Sequence, residues 1–148
     1  RSYPGGTERF VAQMNTKAAS LGMANSRFAD PAGLNAANVS TASDLAKMLD
    51  AANEYPLITE STTTTEQTVH PFSRSGSLTF INTNRLLKNE AWDIEISKTG
   101  YINEAGRCLV MRANIGGEEV SIVLLNFFGK LTPFGDSNRL RKWILANS

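Results

Sequence analysis

The stretch Ile94-Glu95-Ile96-Ser97-Lys98-Thr99-Gly100-Tyr101 alternates apolar and polar side chains, then sets a lysine, a hydroxyl and a glycine in succession. Alternation with period two predicts a strand with one buried face. The three residues that follow predict chemistry at its end. Lys98 fixes a positive charge, Thr99 offers a hydroxyl to an anionic or carbonyl group, and Gly100 leaves room for another backbone to approach. Taken alone, the tripeptide reads as an exposed strand-end lysine. The flanking sequence gives it its weight.

Downstream, Arg107 to Ala113 and Glu119 to Asn126 are apolar runs joined by Asn114-Ile115-Gly116-Gly117-Glu118, which predicts an antiparallel hairpin beside the Lys98 strand. Asp136 or Ser137 is placed to cap a last helix with Leu140, Trp143, Ile144 and Leu145 packed on one face. Upstream, Thr7 is placed to cap a helix that buries Phe10, Val11, Met14, Ala18 and Leu21 and stops at Gly22. Asn25 to Asn38 reads as an ordered loop anchored by Phe28 and Leu34. Thr41 or Ser40 caps a second helix, with Asp44 in its first turn and a stripe of Leu45, Met48, Leu49 and Ala52, ended by Tyr55-Pro56. Pro56 to Glu60 adds one short turn. From Ser61 to Leu78, threonines at 62–65 and 68 with Val69 predict an extended ribbon, turning around Pro71, Ser73, Ser75, Gly76 and Ser77. Helices, then strands, then a helix predict an α+β domain (α/β in some schemes), an antiparallel sheet with helices packed on it.

At 148 residues and 41% hydrophobic, the chain is long enough for one domain with a core. Its formal net charge of +1, from 15 basic and 14 acidic residues, gives no broad field for nucleic acid. Cys108 is the single cysteine, so no internal disulfide forms, and its apolar setting predicts a buried structural thiol. One histidine, His70, and one cysteine supply no zinc shell, so no metal and no cofactor is expected. His70 reads as a surface residue; Asp30 and Asp44 suit loop and cap roles. No apolar run spans a membrane and no signal peptide is visible, in a chain that opens on Arg1 without an initiator methionine.

Four stretches together resemble the low-molecular-mass penicillin-binding proteins, the serine D-Ala-D-Ala peptidases. They are Met14 to Leu34 (MNTKAASLGMANSRFADPAGL), Ser40 to Leu49 (STASDLAKML), Asn82-Thr83-Asn84 with Leu86-Leu87, and Ser97 to Val110 (SKTGYINEAGRCLV). The wording is most similar to the DD-endopeptidase branch. The resemblance implies a β-lactamase/transpeptidase-like fold whose amino-terminal part is missing, so that 1–148 is the carboxy-terminal portion of a single catalytic domain. The family's Ser-x-x-Lys and Ser-x-Asn elements do not occur anywhere in this chain. The nucleophile is therefore expected elsewhere, and a second chain carrying the amino-terminal part is a candidate partner. An exposed apolar face, and poor folding of the chain by itself, are expected as well.

The resemblance implies an acyl-enzyme mechanism on peptidoglycan peptides in the periplasm, with β-lactam antibiotics as covalent inhibitors of the complete enzyme. In that reading Lys98 supplies positive potential and a hydrogen bond to the serine of Ser-x-Asn. Thr99 binds the carboxylate side of the substrate, Gly100 leaves it room, and the Tyr101 N–H forms half of the oxyanion hole. Asn82 and Asn84 either line the cleft as substrate contacts or satisfy backbone groups in a turn. Carboxypeptidase relatives place an arginine before the last helix; here that region, Lys130 to Asp136, holds no arginine before Arg139, and Lys130 is a weaker substitute that lacks the bidentate fork. That favours cleavage of cross-links over trimming of free ends, with a carboxypeptidase or a non-catalytic binding module as the alternatives.

Overall fold

A computed structural model of the chain describes residues 3–71 and 76–147. The element order is α1 (Gly6–Ser20), α2 (Ala42–Asn53), α3 (Pro56–Thr63), β1 (Glu66–Val69), β2 (Leu78–Ile81), a 3-10 turn (Arg85–Lys88), β3 (Asp93–Ile102), β4 (Gly106–Ile115), β5 (Glu118–Phe127) and α4 (Thr132–Asn147). The predicted strand is β3. It pairs antiparallel with β4, which pairs antiparallel with β5, in the order β3-β4-β5. Gly116 and Gly117 turn the β4-β5 hairpin with φ of 67° and 93°, the conformation that a two-residue turn needs and that glycine adopts without strain.

The central strand β4 divides the core. Leu109, Met111, Ala113 and Ile115 are almost fully buried on one face, with Leu86, Trp92 and Ile122, and Phe134 and Ile144 of α4 pack over them. Val110 faces the other way, with Ile96 and Leu49, joined by Leu45, Ala52 and Val123. The sheet is thus sandwiched between α4 and α2. Arg112 ties the α2 side together: its Nε meets Glu95 at 3.0 Å, one terminal nitrogen meets Asp50 at 2.7 Å, and the other bonds Glu119. Burial pulls this guanidinium down, but the Glu119, Glu95 and Asp50 carboxylates outweigh it and hold the group above its ordinary value.

Several expected boundaries move, each for a local reason. Thr7 does not cap α1; Gly5, at φ 90°, precedes a helix that begins at Gly6. The helix after Tyr55 runs a full eight residues and takes in Thr62 and Thr63, where composition predicts extended backbone. Pro56 suits the first turn, and threonine hydroxyls return to helix carbonyls, Thr63 to Thr59 and Thr64 to Glu60, both at 2.7 Å. The ribbon survives as β1-β2, pairing Glu66 with Ile81 through Val69 with Leu78, while the turn residues Ser73 and Ser75 lie outside the described residues. Asp136 and Ser137 do not cap α4, which starts a turn earlier; Ser137 is buried and donates to the Pro133 carbonyl at 2.7 Å. Thr41 caps α2 as expected, accepting from the Asp44 N–H.

The apolar stripes of the terminal helices are only partly covered. In α1 Ala18 alone is buried, and in α4 Trp143 is 66% exposed while Ile144 is the stripe residue that reaches the core. Leu34, expected to anchor its loop, is 74% exposed. Tyr55, Leu57 and Ile58 around α3 and Phe80 and Ile81 on β2 are exposed too. Periodicity announces an apolar face without saying what covers it, and within these residues much of that face is open.

Candidate active site

β3 is an edge strand, and among the described residues hydrogen bonds with another element close its free edge at one end. Ser97 donates its N–H to Thr62 Oγ1 and its hydroxyl to the Thr62 carbonyl, both at 3.4 Å, so the end of α3 closes the edge there. In an antiparallel ladder, alternate residues turn both backbone groups to the same side. Ser97 faces outward, away from β4, so Thr99 and Tyr101 face outward as well. Among the described residues no neighbouring strand pairs with their N–H and C=O groups, and the Thr99 carbonyl accepts from Lys98 Nζ, a geometry that leaves this edge open to a further extended chain.

That edge opens into a cavity of about 1230 Å³. Lys98, Thr99, Gly100 and Tyr101 line it. Lys98 is exposed and donates from Nζ to the Thr99 carbonyl on the same edge. The Thr99 hydroxyl is held by the Thr83 hydroxyl, which couples the loop before the 3-10 turn to β3. A Cβ built on Gly100 meets nothing within 4 Å, so neither packing nor backbone conformation within these residues demands glycine there. Tyr101 is 55% exposed, with its hydroxyl 2.8 Å from Asn103 Oδ1 and its ring 4.4 Å beneath the Arg107 guanidinium.

The two asparagines part company. Asn82 lines the cavity, but its amide donates to the Thr62 and Thr64 carbonyls at 3.0 and 3.1 Å, and its oxygen accepts from the Asn84 N–H at 3.0 Å. Asn84 is 1% exposed and caps the 3-10 turn by accepting from the Leu86 N–H at 3.1 Å. A buried cap does not touch a ligand, so the substrate-contact alternative for Asn84 is withdrawn, and Asn82 reaches the cavity with its polar groups already committed. Cys108 is also corrected: it is half-buried and lines the cavity opposite Gly100. Lys130 lines the cavity too, and His70 is exposed outside it.

The loop at 30–34, which has no site role in the sequence reading, also lines the cavity. Its shape is fixed by Asp30, whose carboxylate accepts from the amides of Ala32, Leu34 and Asn35 and from the Asn38 side chain. Asp44, almost fully buried, ties the loop's start to α2 by accepting from the Asn25 N–H at 2.8 Å, the Ser26 hydroxyl at 2.9 Å and Lys47 at 3.3 Å. For both carboxyls burial pushes upward, but hydrogen bonds, joined by Lys47 at Asp44, win and hold them below the ordinary 3.8. A depressed carboxyl contributes stability that is complete above the unfolded value and lost as pH falls through the folded one. The urea midpoint is therefore expected to hold down to about pH 5 and fall below about pH 4. Asp44→Asn should flatten that acid limb; an unchanged limb in this variant contradicts the assignment.

Comparison with known proteins meets this geometry directly. Residues 1–129 match the model of peptidase family S11, described as D-alanyl-D-alanine carboxypeptidase. The chain belongs to this family. It is 49% identical to a D-alanyl-D-alanine endopeptidase of Pseudomonas aeruginosa over 144 residues, 97% of this chain and 46% of that protein. It is also 49% identical to a D-alanyl-D-alanine endopeptidase of Escherichia coli over 142 residues, 96% of this chain and 46% of that protein. The S11 chain thus spans about half the length of the curated relatives it matches. Its fold superposes on the crystal structure of the Streptomyces K15 DD-transpeptidase with a TM-score of 0.81 at 30% identity, over 93% of this chain and 54% of that one. The α+β, transpeptidase-like architecture expected from the sequence is the one observed.

Proposed function

We propose that these 148 residues are the carboxy-terminal portion of the catalytic domain of a serine DD-peptidase, one that cleaves D-Ala to meso-diaminopimelate cross-links of peptidoglycan in the periplasm. The open edge of β3 at Thr99 and Tyr101, with Lys98 beside it, carries this reading. A serine outside this chain attacks the carbonyl carbon of the D-alanine, and a nearby lysine takes its proton. The C–N bond breaks, the departing amine leaves with a proton, and water then hydrolyses the ester. The Tyr101 N–H donates to the carbonyl oxygen as it gains charge, an interaction whose loss typically costs about 2.7–4 kcal/mol in the transition state. The Thr99 hydroxyl shares a hydrogen bond with the Thr83 hydroxyl in which either oxygen can donate, and with Thr83 as the donor the Thr99 proton points to the carboxylate side of the substrate. Lys98 adds positive potential where negative charge develops. Among the described residues no helix is long and apolar enough to cross a membrane.

The names of the two relatives favour the endopeptidase. Lys130 in the cavity keeps the carboxypeptidase as the alternative, since it offers a terminal carboxylate a cation, though without the two-point fork of an arginine. Incubating the full-length protein with a cross-linked muropeptide dimer and with a free pentapeptide separates them. Conversion of the dimer to monomers without release of D-alanine is expected. Release of D-alanine from the pentapeptide alone moves the assignment to the carboxypeptidase, and inertness toward both peptides and toward penicillin leaves only a binding module.

A further inference from the structure

Arg107 stands on β4 directly opposite Tyr101, and its guanidinium lies 4.4 Å over the tyrosine ring at the cavity wall. Its Nε is buried and has no hydrogen-bond partner among the described residues. Arg107 as a whole is half-buried, so what stands out is one buried N–H without a partner, a donor that loses hydration without compensation. Arg112 on the same strand shows the ordinary case, bonded by three carboxylates. Among the described residues no acidic side chain pairs with Arg107 in the same way. The cavity repeats the imbalance: Arg85, Lys88, Lys98, Arg107 and Lys130 line it against the single carboxylate of Asp30, whose oxygens are occupied by its own loop. In a chain of net charge +1, positive charge is concentrated at this cleft.

We propose that Arg107 is a specificity-determining residue that binds a side-chain carboxylate on the acyl-donor part of the substrate, beside the D-alanine whose carbonyl reacts. The assignment rests on the functional reading above. With the carboxylate side of the substrate at Thr99 and the reacting carbonyl at the Tyr101 N–H, the bound chain runs antiparallel to β3. Its acyl-donor part then continues past Tyr101, toward the end of the strand where Arg107 presents its planar donors. A guanidinium packed over the tyrosine ring keeps its fork of donors available for a two-point grip on a carboxylate. Diaminopimelate carries such a group, and lysine at the same position does not.

The test compares two synthetic peptides that differ only in whether the diaminopimelate side-chain carboxylate is free or amidated, with the full-length protein. The wild type is expected to favour the free acid by about tenfold or more in kcat/KM. Arg107→Gln should lose that factor on the acid and little on the amide, and Arg107→Lys should fall between. Acylation by a fluorescent penicillin, which lacks the acyl-donor residue, should stay within about twofold in both variants. Equal losses on both peptides, or a wild type indifferent to amidation, overturn the proposal; the latter does so even if the variants fail to fold. A wild type that turns over neither peptide overturns the peptidase reading itself, and this assignment with it.

Discussion

Replacing Lys98 by alanine in the full-length protein is expected to slow acylation by penicillin about 100- to 1000-fold, the scale seen when a preorganised electrostatic donor is removed from an acyl-transfer site. The reason is positional. Lys98 is exposed, its Nζ donates to the carbonyl of its own neighbour Thr99, and it belongs to neither half of the core. A residue with that little structural duty should change stability by less than about 0.5 kcal/mol when truncated. Lys98→Arg keeps the charge but replaces a compact ammonium by a wider planar group, so partial activity is expected. Stopped-flow acylation and a urea titration on the same preparations separate the two effects. Undiminished acylation in Lys98→Ala removes Lys98 from the site and returns it to an ordinary strand-end lysine.

The second large effect is on stability. Trp92→Ala is expected to cost about 3–5 kcal/mol, as for other large buried aromatics. Trp92 is 8% exposed, packs within the cluster formed by Leu109, Met111 and Ile115, donates from its indole nitrogen to Asn138 Oδ1 at 2.9 Å, and lies 5.8 Å beneath Arg141. It therefore fastens α4 to the sheet in three ways at once. Trp92→Phe keeps most of the apolar volume but strands the Asn138 oxygen, and should cost about 1–3 kcal/mol. Urea midpoints of the two variants give the partition. A cost below about 1 kcal/mol for Trp92→Ala means that α4 is not docked as described, and then Lys130 and Phe134 lose their place at the cavity.

What the sequence disclosed and what it withheld follow from the range of the interactions. Lys98, Thr99 and Gly100 were legible because strand period and three adjacent residues carry the signal, and the β4-β5 hairpin because two glycines announce its turn. Thr62 was misread because threonine favours strands in general, whereas here back-bonding hydroxyls and an initial proline support a helix whose end covers Ser97. Asn84 looked like Asn82 in the sequence; burial alone separates a turn cap from a cavity-lining residue. Arg107, Thr83 and the loop at 30–34 reach the cavity through contacts between distant parts of the chain. Their nearest local signals were the asparagine-rich composition around Asp30 and an arginine six residues after Tyr101, neither of which names a partner. The open stripes on α1 and α4 show the same limit, since period fixes a face and not what lies against it.

The most direct test of the central claim, that the free edge of β3 is one wall of a serine DD-peptidase site whose nucleophile lies outside these 148 residues, is peptide mapping by mass spectrometry of the full-length protein after treatment with penicillin. One acyl adduct per molecule, on a serine that is not among residues 1–148, is the predicted result. An adduct on a residue within this chain, or no adduct on a folded protein, contradicts it.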